Sequence, residues 1–211
     1  MPSPRRLLGA VALVGVIGVT ATACGDPNAG DAAQSELEAF LDDRPLDGYR
    51  PETVRAENTL PFSGSLEVTM TALDPAALDP QDYESAMRGV AEHVCEFAPE
   101  ADASVEWGFA VGRHSTPLPC PGDGPETRLA DAAALLGELT QVRGVESIRY
   151  GFSGRLDVVA PAGADLTSVQ DRVEEVARRH TVALGDEAPF VMVQGRPGET
   201  ATVSPGGAST P

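Results

Sequence analysis

Apolar and polar residues alternate with period two along Leu60, Phe62, Leu66, Val68 and Met70, with Thr59, Ser63, Ser65, Glu67 and Thr69 between them. That spacing predicts extended chain with one buried face. The same phase returns at Ile148, Tyr150, Phe152, Leu156, Val158 and Ala160. Each stretch is interrupted by Ser-Gly, at Ser63-Gly64 and Ser153-Gly154, which suggests a hairpin. A three-residue turn would pair Phe62 with Leu66 and Leu60 with Val68 and keep the apolar faces together. A two-residue turn would set Leu60 against Glu67. The competing reading is a single long strand kinked at Gly64 and at Gly154.

Helical stripes follow both stretches. Tyr83, Met87, Val90, Val94 and Phe97 step by four and three, as do Val169, Val173, Val176 and His180. Both patterns predict amphipathic helices laid on a sheet. Asp79 with Pro80 suits the start of the first, and Asp165 suits the cap of the second. Val105, Trp107, Phe109 and Val111 alternate as a further strand, and Phe190 to Val193 supplies a shorter counterpart. A helix also precedes each hairpin, over Glu36 to Leu41 and over Arg128 to Val142, the latter with Leu129, Ala133, Leu136 and Leu139 inward.

The two halves match in sequence as well as in pattern. Pro61-Phe62-Ser63-Gly64-Ser65-Leu66-Glu67-Val68 corresponds to Gly151-Phe152-Ser153-Gly154-Arg155-Leu156-Asp157-Val158. An internal correspondence of this kind predicts two copies of one unit. The expected fold is α+β: two pseudo-repeated helix–hairpin–helix–strand units forming an antiparallel or mixed sheet, with helices covering one face. The first unit spans 35–113 and the second 114–195. This order of elements resembles the small BON-type modules of bacterial envelope proteins and, loosely, the ferredoxin-like split βαβ. The resemblance implies phospholipid or envelope attachment.

The start of the chain has a different character. Arg5 and Arg6 precede an uncharged apolar run from Leu7 to Val19, and Ala21-Thr22-Ala23 leads into Cys24. A basic start, a short apolar core and small residues before a cut site mark an export signal over 1–23. The run is shorter than the ~20 apolar residues a spanning helix needs. Small residues ending on a cysteine resemble the lipobox of bacterial lipoproteins. That resemblance implies a diacylglycerol on the Cys24 thiol, cleavage before it, and a lipid anchor on the extracytoplasmic face of the cell membrane. The alternative is an ordinary cleaved signal followed by an incidental cysteine. Residues 24–34 read as a tether and 196–211 as a disordered tail rich in Pro, Gly, Ser and Thr.

Charge narrows the partners. The 211-residue chain carries a formal charge of -17, and loss of Arg5 and Arg6 with the signal leaves about -19 on 188 residues. Such a body repels nucleic acid and anionic lipid headgroups. Membrane attachment therefore rests on the lipid. Every basic residue is arginine; with abundant Ala and Gly, this resembles the composition of actinobacterial proteins.

Cys95 and Cys120 form an even pair in an oxidising compartment and predict a disulfide, the alternative being two buried thiols. Their separation lacks the paired spacing of a zinc site, and no metal or cofactor is expected. His93 and His180 occupy similar late positions in two helices, where an imidazole suits the C-terminal dipole. His114 adjoins Ser115, but neighbouring strand residues cannot converge as a triad. Gly122-Asp123-Gly124 lacks the companions of a calcium or phosphate loop and reads as a helix-start loop. The acidic residues, Asp42, Asp43, Asp47, Asp74, Asp79, Asp82, Glu174 and Glu175 among them, read as a solvated surface. Trp107 is phased into the core. The sequence thus points to a non-enzymatic binding module with an envelope protein as a partner, or to a small-molecule or metal-binding lipoprotein with its site between the two units.

Overall fold

A computed structural model describes residues 28–59, 63–125, 127–151, 155–184 and 190–195. Cys24, the 1–23 segment and the 196–211 segment lie outside these residues. The elements run α1 (Ala29–Asp43), β1 (Tyr49–Thr59), β2 (Ser63–Ala72), α2 (Tyr83–Val94), β3 (Ala103–Val111), β4 (His114–Pro117), α3 (Arg128–Leu139), β5 (Ser147–Gly151), β6 (Arg155–Ala160), α4 (Leu166–Arg179), α5 (Thr181–Leu184) and β7 (Phe190–Gly195). Strands β1 to β7 form one mixed sheet in sequence order. The pairing senses are antiparallel then parallel for β1–β2–β3, and the same for β5–β6–β7. The halves thus share this pairing, while β4 and α5 of the second half have no counterpart in the first.

Burial alternates strictly along β2 from Ser63 to Met70, with Gly64, Leu66, Val68 and Met70 buried. Leu66, Val68 and Met70 join Trp107 and Phe109 of β3, Ile148 of β5, Leu156 and Val158 of β6, and Val191 and Val193 of β7 in one hydrophobic cluster with the inward faces of the five described helices. Helices therefore cover one face of the sheet. The opposite face is polar: Arg55 and Glu57, Ser65 and Glu67, Glu106, Arg149, Arg155 and Asp157 occupy the alternate positions. Trp107 is 7% exposed, in the core as its phase implied.

Both interruptions are hairpins, not kinks in a single strand. The first is displaced from its expected position. Thr59 pairs with Ser63, Asn58 with Gly64, Ala56 with Leu66 and Val54 with Val68. Ser63 and Gly64 thus belong to the strand, and neither expected pairing of Leu66 or Glu67 occurs. Glu67 faces Arg55. In the second hairpin Gly151 pairs with Arg155, Tyr150 with Leu156 and Ile148 with Val158. Residues 60–62 and 152–154, between the paired ends, are outside those described. The connection is therefore two residues earlier in the first hairpin than the Phe-Ser-Gly correspondence implies, and a shift of two keeps every side chain on its face.

The first helix also departs from expectation. It begins at Ala29, not Glu36, so residues 29–34 are helical and not tether. The cause is a close approach of backbones. A Cβ on Gly64 would sit 2.3 Å from Gly30 N, and one on Gly30 would sit 2.5 Å from the Glu57 carbonyl oxygen. Only glycine at both positions lets α1 rest directly on the β1–β2 hairpin. Gly30 N–H donates to Asn58 Oδ1 at 2.8 Å, and Asn58 Nδ2 donates to Asp31 Oδ2 at 3.0 Å.

Within the sheet the halves meet along a thin seam, while α2 packs on α3 across the division and both halves share one core. Strand β4 pairs antiparallel with β3 across a turn at Gly112, whose φ is +59°, so this hairpin straddles the 113/114 division. Its link to β5 consists of one ladder pair, His114 with Ile148. Ile148 N–H donates to the Arg113 carbonyl at 3.1 Å, and Tyr150 N–H donates to Ser115 Oγ at 3.0 Å, a hydroxyl standing where a ladder carbonyl would. Cys95, just after α2, is bonded to Cys120, just after β4, with Cα atoms 5.7 Å apart. A cross-link closing a loop of this length restricts the unfolded chain by about 3 kcal/mol. Asp165 caps α4 as expected, its Oδ1 accepting from Ser168 N–H at 3.2 Å. Pro80–Asp82 forms a single 3₁₀ turn ahead of α2, and Asp79 makes no side-chain cap.

Candidate functional site

The uncovered face of the sheet is a trough. Twist across seven strands turns the polar face into a concavity of about 1040 Å³. Its walls come from both halves: Glu52, Arg55, Glu57, Ser65, Glu67, Thr69 and Glu106 from the first, Arg149, Tyr150, Arg155 and Asp157 from the second, with His114 and Ser115 at the seam.

Two features organise its charge. Arg55 bridges Glu57 at 2.7 Å, and Arg155 bridges Asp157 Oδ2 at 2.8 Å, so each hairpin carries its own ion pair. Asp157 Oδ1 is buried and has no hydrogen-bond partner among the described residues. Between the pairs, Glu67 and Glu106 stand side by side in the parallel β2–β3 register. Burial pushes the Glu67 carboxyl above its usual range, with the charge of Glu106 adding to it and Arg55 opposing. Burial does the same to Glu106. Like charges at directly facing positions destabilise a sheet, so the fold holds this pair at a cost.

A carboxyl whose folded pKa is raised contributes stability that is full below its unfolded pKa and is lost as pH rises through the folded value. At neutral pH the ionised Glu67–Glu106 pair therefore weighs against folding. Glu106→Gln is expected to raise the melting temperature at pH 7 and to bring it level with the parent near pH 4. The gain is modest, because Glu106 remains open to solvent. Thermal melts across that pH range measure it; an unchanged or lower melting temperature at pH 7 would show that the pair carries no such burden.

The seam residues are held by local contacts. Ser115 Oγ is committed to the Tyr150 N–H. Burial lowers His114 below its usual range and so favours the neutral ring. Among the described residues no hydrogen bond joins His114 to Ser115 or to a carboxylate. Tyr150 is raised by burial and, secondarily, by the charge of Glu106.

The remaining sequence-derived residues lie elsewhere. The Cys95–Cys120 disulfide sits on the helical side, away from the trough's lining. His93 Nε2 donates to the Arg44 carbonyl at 2.8 Å and closes the C-terminus of α1. His180 has neighbours that its own helix did not reveal. Asp131 Oδ1 accepts from Nδ1 at 2.8 Å and Glu138 Oε1 from Nε2 at 3.2 Å, both carboxylates coming from α3. Asp131 Oδ2 also accepts from Ala183 N–H at 2.8 Å. Gly122-Asp123-Gly124 precedes α3, where Arg128 donates to the Asp123 carbonyl. Among the described residues, no group of three or more His, Cys, Asp and Glu is placed to hold a metal ion, and no helix is long and apolar enough to cross a membrane.

No family model matches the chain, and no curated protein matches it in sequence. The trough is the feature the sequence left unread. Its signal was present in the polar half of each alternation, but Glu67 and Glu106 meet only through a parallel register 39 residues apart in the chain.

Proposed function

We propose that this protein is a lipid-anchored extracytoplasmic module that binds an envelope protein through the open face of its sheet and performs no chemistry of its own. The observation that carries this reading is the trough: among the described residues no helix covers one face of the sheet, which is lined by charged and hydroxyl side chains from both halves. Small-molecule sites are mostly apolar, enclosed clefts with a few polar groups. This surface is open and displays charged side chains along several strands, with Ala110, Ile148 and Tyr150 among them, which suits the charge-rich side chains of a protein partner. The lipobox-like run ending at Cys24 supports the location, and the charge near -19 leaves lipid as the means of attachment.

Site-specific photo-crosslinking in the native envelope tests the surface. A photoreactive residue at Glu106, inside the trough, is expected to yield a discrete protein adduct. The same residue at Glu92, exposed on α2 on the helical side, is expected to yield none. Equal adducts from both positions, or adducts from Glu92 alone, would move the binding surface off the sheet.

A further inference from the structure

The first described helix fixes where an anchored chain must leave the body. Ala29 and Gly30 are buried, and the start of α1 is held on the β1–β2 hairpin by the Gly30–Gly64 approach and by both bonds of Asn58. This point cannot swing away without opening the contact. Cys24 lies only four residues before Asn28, and four residues span about 14 Å at most. A body on so short a leash cannot present an arbitrary side to the bilayer.

We propose that the sheet end carrying Asn58, Gly64 and Ala103 is the membrane-apposed surface of this protein, and that the opposite end, carrying Leu73, points outward. The partner of this surface is the phospholipid headgroup layer. The inference rests on lipid attachment at Cys24. Register places the three residues together: Asn58 pairs with Gly64 across β1–β2, and Gly64 pairs with Ala103 across β2–β3. Asp31, Glu57 and Asp102 lie at the same end, so headgroup attraction does not bring it down; the length of the leash does. From the Ser65 level to Leu73 the strand rises about 26 Å. That distance exceeds the reach of the leash, so the two ends differ in depth. The trough, on one face of the sheet, then stands beside the bilayer, and a partner in the same membrane approaches it from the side.

The chain has no lysine, so one introduced lysine takes an amine-reactive fluorophore, with the unsubstituted protein as the baseline for the terminal amine. Ser104→Lys places the dye at the near end, one residue beyond Ala103, and Leu73→Lys places it at the far end; both positions are exposed. The lipid-modified protein is reconstituted in phosphatidylcholine vesicles containing a headgroup nitroxide quencher. Quenching at Ser104→Lys is expected to exceed that at Leu73→Lys several-fold. Inserting twelve Gly and Ser residues after Asp26 gives a leash with a typical reach of about 20 Å, and the difference is expected to collapse. Vesicle flotation of the same samples separates the two ideas. Protein that floats with the vesicles but shows equal quenching, or more at Leu73→Lys, overturns the orientation and leaves the anchor intact. Protein that does not float, or floats equally as Cys24→Ser, removes the anchor and the orientation with it.

Discussion

Cys24→Ser is expected to move the protein almost wholly from the membrane fraction to the soluble fraction. The argument is one of competing terms. A body with a charge near -19 gains nothing from anionic headgroups and is repelled by them. Against this, acyl chains contribute about 0.8 kcal/mol per buried methylene; one chain binds marginally and two anchor stably. Nothing in the described body compensates for their loss, since its large exposed apolar side chains, Leu73, Val182 and Phe190, lie on different elements. The bound fraction is expected to fall by about a hundredfold or more, the difference between stable two-chain anchoring and none. Fractionation and intact mass check it together. The parent should lack residues 1–23 and carry a diacylglyceryl adduct, and the variant should carry no lipid. Equal sedimentation of both proteins with no adduct on the parent would remove the anchor from the account.

The distribution of what could be foreseen follows from where each signal resides. The helix stripes of α2 and α4 were legible because their inward residues recur within one element. Strands β2, β3 and β6 were legible for the same reason. The disulfide followed from the parity of the two cysteines that remain once Cys24 is set aside. Strand β1 was not legible: its partly buried apolar residues, Tyr49, Val54 and Ala56, are split by a register shift between Pro51 and Thr53 and interleaved with Arg50, Arg55 and Glu57. An edge strand of this kind carries charge to discourage further pairing, and that charge hides its period. The start of α1 was mistaken for tether because Ala-Gly-Asp-Ala-Ala has the composition of a linker. Gly30 is there for a backbone contact with Gly64, 34 residues away, which no local pattern encodes. Strand β4 has four residues and takes its place from the β3 edge. The hairpin positions differ by two residues although residues 61–68 and 151–158 align without a gap, so local identity did not fix the register.

The same division explains the trough. Alternation identifies which residues avoid the core, but not which of them meet. Arg55, Glu67, Glu106 and Asp157 read singly as solvated charges; strand order brings them onto one concave wall. Stability alone would favour opposite charges at facing positions, as Arg55 and Glu67 provide across β1–β2. The Glu67–Glu106 pair breaks that rule on the sheet face that no described helix covers. Local departures from the stabilising choice concentrate where a surface serves binding.

Asp131→Ala is expected to destabilise the protein by about 3 kcal/mol, a fall in melting temperature of roughly 6–12 °C for a domain of this size. The side chain does two things at once. Its Oδ1 accepts from His180 Nδ1 and its Oδ2 from Ala183 N–H, so it ties the end of α4 and the start of α5 to α3. His180 is 6% exposed, and truncating Asp131 leaves a buried ring nitrogen and a partly buried backbone N–H without their acceptor. Glu138 cannot take over, because it holds the other ring nitrogen and is itself bonded to Arg179. That arginine, and secondarily His180, holds the Glu138 carboxyl below the usual range. Its contribution is present above the ordinary carboxylate pKa and is lost as pH falls through the lowered value, so this side of the network persists at neutral pH. Because Glu138 is 41% exposed, its share is small beside that of Asp131. Chemical denaturation of Asp131→Ala, His180→Ala and the double variant measures the coupling. A coupling energy of about 1 kcal/mol or more is expected for groups sharing buried bonds. Additive effects would show that His180 is held by packing alone and that the α3–α4 junction does not depend on this carboxylate.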